Sequence, residues 1–350
     1  SRLNTPKPPV DVRDEVCGPE HLGEEYDWVF KQNSSDLNKI QSFSQSKFFY
    51  SNPNGPINKQ ARLVNAKIRP SNDYNNPLVA VCYGGIARSF VSPIVYKSTK
   101  HFLLDRLSTN THVIATVKLQ ADPGKANETD ELSRYEAYAS SSRKSVERAL
   151  SYLNPTVSYI MDTNETTRME YNCKLDSSKD PYKLYSRDEK WARRFLVQMK
   201  DLWNCMKQVE HLEASNNIRF EAIVRARTDS VWLRPLGLSA RRLLEERGEN
   251  ITTFWDHFIF APRKAAEIFS RFWDRYSDCS TTWDGPYSQE SSFETYSKEI
   301  GVPFVGNFYI PTAVKRRSRS MVNSAFICLI QKCVTQEECM NIVYMDEKEK

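Results

Sequence analysis

Glycine is scarce in this chain, 11 in 350 residues. That argues against a collagen-like repeat, glycine-rich linkers and folds built on multi-glycine loops. Long apolar runs are missing as well. The best, Phe326-Ile327-Cys328-Leu329-Ile330, falls far short of the ~18 residues a membrane span needs. There is no CxxC pair and no Cys/His cluster, so zinc-site spacing is excluded. No strand-to-helix phosphate loop with Lys and Ser/Thr is visible. Charge of one sign is not in large excess: 49 Lys+Arg minus 44 Asp+Glu gives +5, and the two signs are interleaved. Such mild basicity is not the footprint of a nucleic-acid binder. The chain opens Ser1-Arg2-Leu3, with neither Met nor a signal peptide. It reads as a processed chain whose membrane anchor would lie outside it.

The rest is ordinary globular composition, 40% hydrophobic and 27% charged, which excludes a disordered chain. The length suits one large domain or two smaller ones. Eight cysteines, an even number, accompany four glycosylation sequons at Asn33, Asn127, Asn164 and Asn250. Each sequon sits in a polar, loop-like stretch. Together they point to an oxidising compartment, with several disulfides, one expected among Cys328, Cys333 and Cys339.

Residues 1–76 are polar and broken by Pro6, Pro8, Pro9, Pro53, Pro56 and Pro70, and read as a stem or wrapping segment. A main folded domain over 77–315 and a Cys-containing extension over 316–350 follow. Within the domain, Leu78–Tyr83 is continuously apolar, as a strand buried on both faces should be. Gly84-Gly85 ends it, and a helix is expected over 86–107. Strands are expected at 112–117, 157–161, 220–227 and 254–261. Helices are expected at 131–153, 187–214, 263–276 and 288–300. In the helix over 187–214, Trp191, Phe195, Met199, Leu202, Met206 and Val209 form one apolar stripe, read as core packing. Strands alternating with helices predict an α/β fold with a mainly parallel sheet.

The chemistry concentrates in Arg225-Ala226-Arg227-Thr228-Asp229-Ser230-Val231-Trp232-Leu233-Arg234-Pro235, where an apolar strand runs into charge. Ligands of parallel α/β sheets lie beyond the carboxyl ends of the strands. Asp229 would stand there, able to ligate a divalent ion through oxygen. Arg225 and Arg227, two apart, share one side of the strand. Gly84 and Gly85 would let a phosphate approach the backbone, and Arg88 would add a cation. Asp256 and Glu290 are the candidates for a base acting on a hydroxyl. His257 reads as packing. Trp232 and Trp255 could stack on a ligand, although core packing is the commoner role. Lys315–Arg319 reads as a solvated run able to clamp a diphosphate.

These segments resemble nucleotide-sugar-dependent glycosyltransferases of the GT-A fold, closest to a poorly characterised group in plants, fungi, algae and oomycetes. The likeness lies in Cys205, Glu210, Arg225, Arg227, Asp229, Trp232 and Pro235. Ala80–Arg88, Asp256–Arg263 and Gln289–Phe293 follow in the group's order. The resemblance implies a single GT-A-like (Rossmann-like) catalytic domain. It further implies a nucleotide-diphosphate sugar donor, a glycan or glycoprotein acceptor, and a type II membrane protein of the Golgi or ER lumen, or a secreted form. Gly84, Gly85, Arg88, Arg225 and Arg227 would bind the donor, Asp229 would hold Mn²⁺ or Mg²⁺, and Asp256 and Glu290 would be catalytic. Arg227 stands where the usual metal motif has its first aspartate, so a guanidinium could neutralise the diphosphate instead. Two other readings stay open: a sulfotransferase, and a non-catalytic carbohydrate binder on a degenerate transferase fold.

Overall fold

The computed structural model describes residues 68, 73, 75–87, 89–119, 142–161, 189–254, 256–277, 289–305, 310, 312–315 and 326–328. Continuous apolar stretches become the interior strands. β1 (Val79–Ile86) pairs in parallel with β2 (Thr111–Lys118) on one side and β4 (Ala222–Arg227) on the other. β3 (Val157–Met161) extends the β2 side in parallel. Beyond β4 the sheet turns antiparallel through β7 (Phe258–Pro262) and β6 (Ile251–Phe254). The short strand β8 (Phe304–Val305) then pairs in parallel with β6. The seven-stranded order is β3-β2-β1-β4-β7-β6-β8. An α/β fold with a mixed, mostly parallel sheet is therefore present. A separate antiparallel sheet joins β5 (Ser230–Trp232), β9 (Thr312–Lys315) and β10 (Phe326–Cys328).

The alternation along β1 explains its unbroken hydrophobicity. Val79, Val81 and Tyr83 enter one core with Val113, Val117, Val224 and Phe260. Ala80 and Cys82 enter the core on the other face, with Ile114, Ile223 and Ile259. The second core is covered by the 28-residue helix Glu189–Asn216, whose Met199, Leu202, Met206 and Val209 are buried, as the stripe requires. Trp191 and Phe195 of the stripe have side chains outside the described set.

Helices follow local chemistry. α1 (Pro93–Ser98) starts with Pro at its first turn and runs on through a π-helical stretch, Thr99–Leu104, into α2 (Asp105–Leu107). Pro93 needs no backbone donor at a helix start, so the helix expected from residue 86 begins instead at 93. α3 (Arg143–Leu153) is capped by Ser142, whose hydroxyl accepts from the Ser145 amide, and is closed by left-handed Asn154. α4 is Glu189–Asn216 and α5 is Ala240–Arg247. A 3₁₀ turn, Ala265–Glu267, precedes α6 (Ile268–Ser277), and α7 is Gln289–Glu299.

Two expectations are corrected here. The single strand over 254–261 is a hairpin: Phe254 ends β6, Phe258 starts β7, and the His257 amide donates to the Phe254 carbonyl at 3.1 Å. Gly84 and Gly85 do not end β1 but pair with Thr116 and Val117 inside it. The expected bridge among Cys328, Cys333 and Cys339 lies outside the described residues, as do the sequons at Asn33, Asn127 and Asn164. Asn250 precedes β6, and its sequon threonine, Thr252, is fully buried in that strand.

Candidate functional site

The chain leaves β1 for β2 and β3 on one side, then crosses through α4 to β4 on the other. β1 and β4 therefore flank the point where strand order reverses, and the crevice at their carboxyl ends is where such sheets take ligands. The β1 end carries Gly84, Gly85 and Ile86. The β4 end carries Arg225 and Arg227, followed by the turn Thr228–Asp229.

Register decides which side chains meet. Arg225 lies opposite Cys82 and Arg227 opposite Gly84, both on the face covered by α4. The Arg227 guanidinium is held from two sides. Nε and Nη2 donate to the two carboxylate oxygens of Asp229 at 2.8 and 2.9 Å, and Nη1 donates to Asp256 Oδ2 at 2.6 Å. That uses three of the five N–H donors a guanidinium carries. Arg225 Nη2 donates to Gln198 of α4 at 3.3 Å and stands 4.0 Å from Asp256 Oδ2. Asp229, Asp256 and Arg225 are all buried.

This environment bears on the expected roles. Burial would push the Asp256 carboxyl up, but Arg227 and Arg225 outweigh it and hold the group below its ordinary range. An acid held ionised beside two guanidinia is a weak base, so Asp256 is placed to orient Arg227 more than to take a proton. Burial likewise works against the charge of Arg227, and Asp229 and Asp256 more than restore it. His257 is buried, with Nε2 3.6 Å from Asp256 Oδ1. Burial and then Arg227 lower it to about 4, so it is neutral near pH 7.

The two glycines separate. Gly85 has φ of 152°, and a Cβ there would meet Thr228 Oγ1 at 2.7 Å. That hydroxyl donates to the Ile86 carbonyl at 2.9 Å, tying the β4–β5 turn to the end of β1. Gly85 is therefore a close-approach glycine with a structural cause. At Gly84 a Cβ would find only the Thr116 carbonyl oxygen at 3.6 Å and Asp201 Cβ at 4.0 Å, ordinary contacts.

Gly84, Gly85, Arg225, Arg227, Asp229 and Asp256 thus come together. Arg88 and Trp255 lie outside the described residues. Glu290 is the second residue of α7, and its side chain is outside the described set. Trp232 offers no stacking face. It is 1% exposed, packs edge-on to Phe258 at 6.0 Å between centroids, and has its backbone amide on Ser98 Oγ.

The expected Mn²⁺ or Mg²⁺ meets an unsuitable donor set. Both Asp229 oxygens already accept from Arg227, and among the described residues no three His, Cys, Asp or Glu side chains form a group able to hold a metal ion. As arranged, Asp229 serves a guanidinium.

Lys118, Gln198 and Asp201 belong to the same region and were not expected. Lys118, the last residue of β2, is buried with its ammonium 2.5 Å from Asp201 Oδ2. The signal was a lysine closing the apolar run of β2, and polar residues at 198 and 201, in helical step with Cys205. Cys205 itself forms a disulfide with Cys82, fixing α4 to β1. No protein-family model matches the chain, and no curated protein sequence matches it either.

Proposed function

We propose that this chain is a glycosyltransferase of GT-A-like architecture. It moves a sugar from a nucleotide-diphosphate donor to a hydroxyl of a glycan or glycoprotein in the secretory pathway. The reading is supported above all by one observation: a guanidinium clamped between two buried carboxylates at the carboxyl edge of the sheet, beside Gly84 where the end of β1 becomes partly exposed. The compartment rests on the sequons and the Cys82–Cys205 bond.

In this reading Arg227 faces the donor diphosphate. Asp229 and Asp256 hold it rigid with three hydrogen bonds, leaving two N–H donors for phosphate oxygen. When the sugar departs, negative charge grows on the distal phosphate. A pre-oriented cation stabilises that charge more in the transition state than in the ground state. Gly84, without a side chain, lets the phosphates approach the backbone at the end of β1. Arg88 is a further cation of this reading, and Glu290 is its candidate base toward the acceptor. Asp229 can instead ligate Mn²⁺ or Mg²⁺ only if Arg227 releases it.

The test is a panel of UDP-, GDP- and CMP-sugars, read by thermal shift and by transfer or hydrolysis. One donor class should raise the melting temperature and turn over. Arg227→Ala should lower turnover by ~10²-fold or more, a loss of ~2.7 kcal/mol, with EDTA leaving the unmodified chain active. Activity abolished by EDTA moves the role to a metal on Asp229. Nucleotide binding with no turnover identifies the non-catalytic binder, and no binding to any donor removes the proposal.

A further inference from the structure

A second group of charges lies on the other side of Gly84 and is not accounted for by the Arg227 clamp. Lys118 closes β2 opposite Ile86, the one large hydrophobic among the described residues that is substantially exposed. Its ammonium bonds Asp201 of α4, and Asp201 Cβ stands 4.0 Å from where a Cβ of residue 84 would sit. Lys200 precedes Asp201 on the helix and acts on its carboxylate through space, as does Arg225. Lys118 alone bonds Asp201, while the Lys200 ammonium lies 5.7 Å from the centre of the Trp273 ring. Burial pushes the Asp201 carboxyl up and pulls the Lys200 ammonium down. The Lys118 and Asp201 side chains are only 4% and 15% exposed, so the pair lies where unbalanced charge is unfavourable.

We infer that Lys118, bonded to Asp201 beside the end of β1, is a subsite for a phosphate-class anion. Asp201 is the internal counter-ion that keeps the ammonium in place until that anion arrives. The anion enters at the partly exposed end of β1, from Gly84 to Ile86, with Lys118 of β2 opposite Ile86 and Arg227 of β4 opposite Gly84. The two cations then lie on either side of it, as the two phosphoryl groups of a diphosphate require. The identity of the natural anion rests on the transferase reading; the subsite does not.

The experiment measures inorganic pyrophosphate and UDP binding to the full chain by titration calorimetry. It compares the unmodified chain with Lys118→Met and Asp201→Asn, after circular dichroism and melting confirm that each is folded. The unmodified chain should bind pyrophosphate. Lys118→Met keeps the aliphatic stem and loses the charge, and should weaken binding about tenfold or more. Asp201→Asn removes the competing carboxylate, so affinity should hold or rise. A purely structural ion pair would make both variants lose alike. The inference is overturned if pyrophosphate does not bind, if folded Lys118→Met binds as the unmodified chain does, or if Asp201→Asn weakens binding as much as Lys118→Met. Should Lys118→Met fail to fold, the Asp201→Asn result decides alone. Lys118-dependent pyrophosphate binding with no transfer from any donor leaves the subsite standing and removes the transferase reading. Transfer unaffected by Lys118→Met does the reverse.

Discussion

At Gly84 and Gly85, neighbouring residues of one type owe their identity to different causes. A methyl at 85 would strike the Thr228 hydroxyl at 2.7 Å, on a backbone that L-residues rarely adopt. Gly85→Ala should therefore lower stability by about 1–3 kcal/mol, measured by urea unfolding. Gly84 has ordinary space around it, so Gly84→Ala should stay within about 1 kcal/mol of the unmodified chain, yet weaken nucleotide binding by filling the approach. Equal losses of stability at the two positions would refute this distinction. His257 gives the residue-scale pH dependence. Its folded value falls from 6.5 to about 4, so between those values the unfolded chain binds a proton that the folded chain refuses. Stability is then highest above pH 6.5 and declines as pH falls toward 4, by up to about 3 kcal/mol. Asp256, held low by its arginines, is lost in the same direction at still lower pH. His257→Asn should flatten the decline in unfolding midpoint between pH 7 and 5, and an unchanged slope would assign it to other groups.

At the scale of elements, α4 carries the most consequence. Its stripe fixes one face on the second core, while Gln198 and Asp201 reach Arg225 and Lys118. The Cys82–Cys205 bond adds a covalent stitch across 123 residues of sequence separation. In the chain-entropy account, closing a loop of that size contributes about 4–5 kcal/mol. The Cys82→Ala, Cys205→Ala pair should lose a large part of it in urea unfolding, and reduced unmodified chain should behave likewise. Much of this architecture is legible in the sequence. β1 is an unbroken apolar run to Tyr83, β2, β3 and β4 are mostly apolar, and the α4 stripe has a clear period. The β6–β7 hairpin is not legible, because Phe254, Phe258 and Phe260 flank a tight turn that reads as one strand. β5, β8, β9 and β10 are two to four residues long and exist through pairing, which no local pattern encodes. In the site, Arg225, Arg227 and Asp229 announce themselves as charge at a strand end. Lys118 and Asp201 do not, since a lysine ending a strand and an aspartate on a helix usually mark solvated faces.

For the whole molecule, the question is where the folded body begins. Composition puts the boundary at 76, with everything before it a stem or wrapping segment. Ile68 packs as a wrapping residue does. It is 5% exposed and belongs to the core beneath α4, and its amide donates to Asn216 Oδ1 at 3.1 Å. Asn216 is the last residue of α4. Ile68 therefore packs at the end of the helix that carries Gln198 and Asp201, at the pole opposite the crevice. Deleting a buried isoleucine side chain down to Ala costs about 2–5 kcal/mol, through lost burial and the cavity left behind. Ile68→Ala in the full chain should fall in that range, and a chain beginning at residue 77 should lose at least as much, because the Asn216 contact goes with it. Both are read from the urea midpoint and slope. Donor binding in Ile68→Ala should persist wherever the fold does, since the lost contact is remote from Arg227 and Gly84. A chain beginning at 77 with undiminished stability would restore the boundary at 76 and make Ile68 a passive contact.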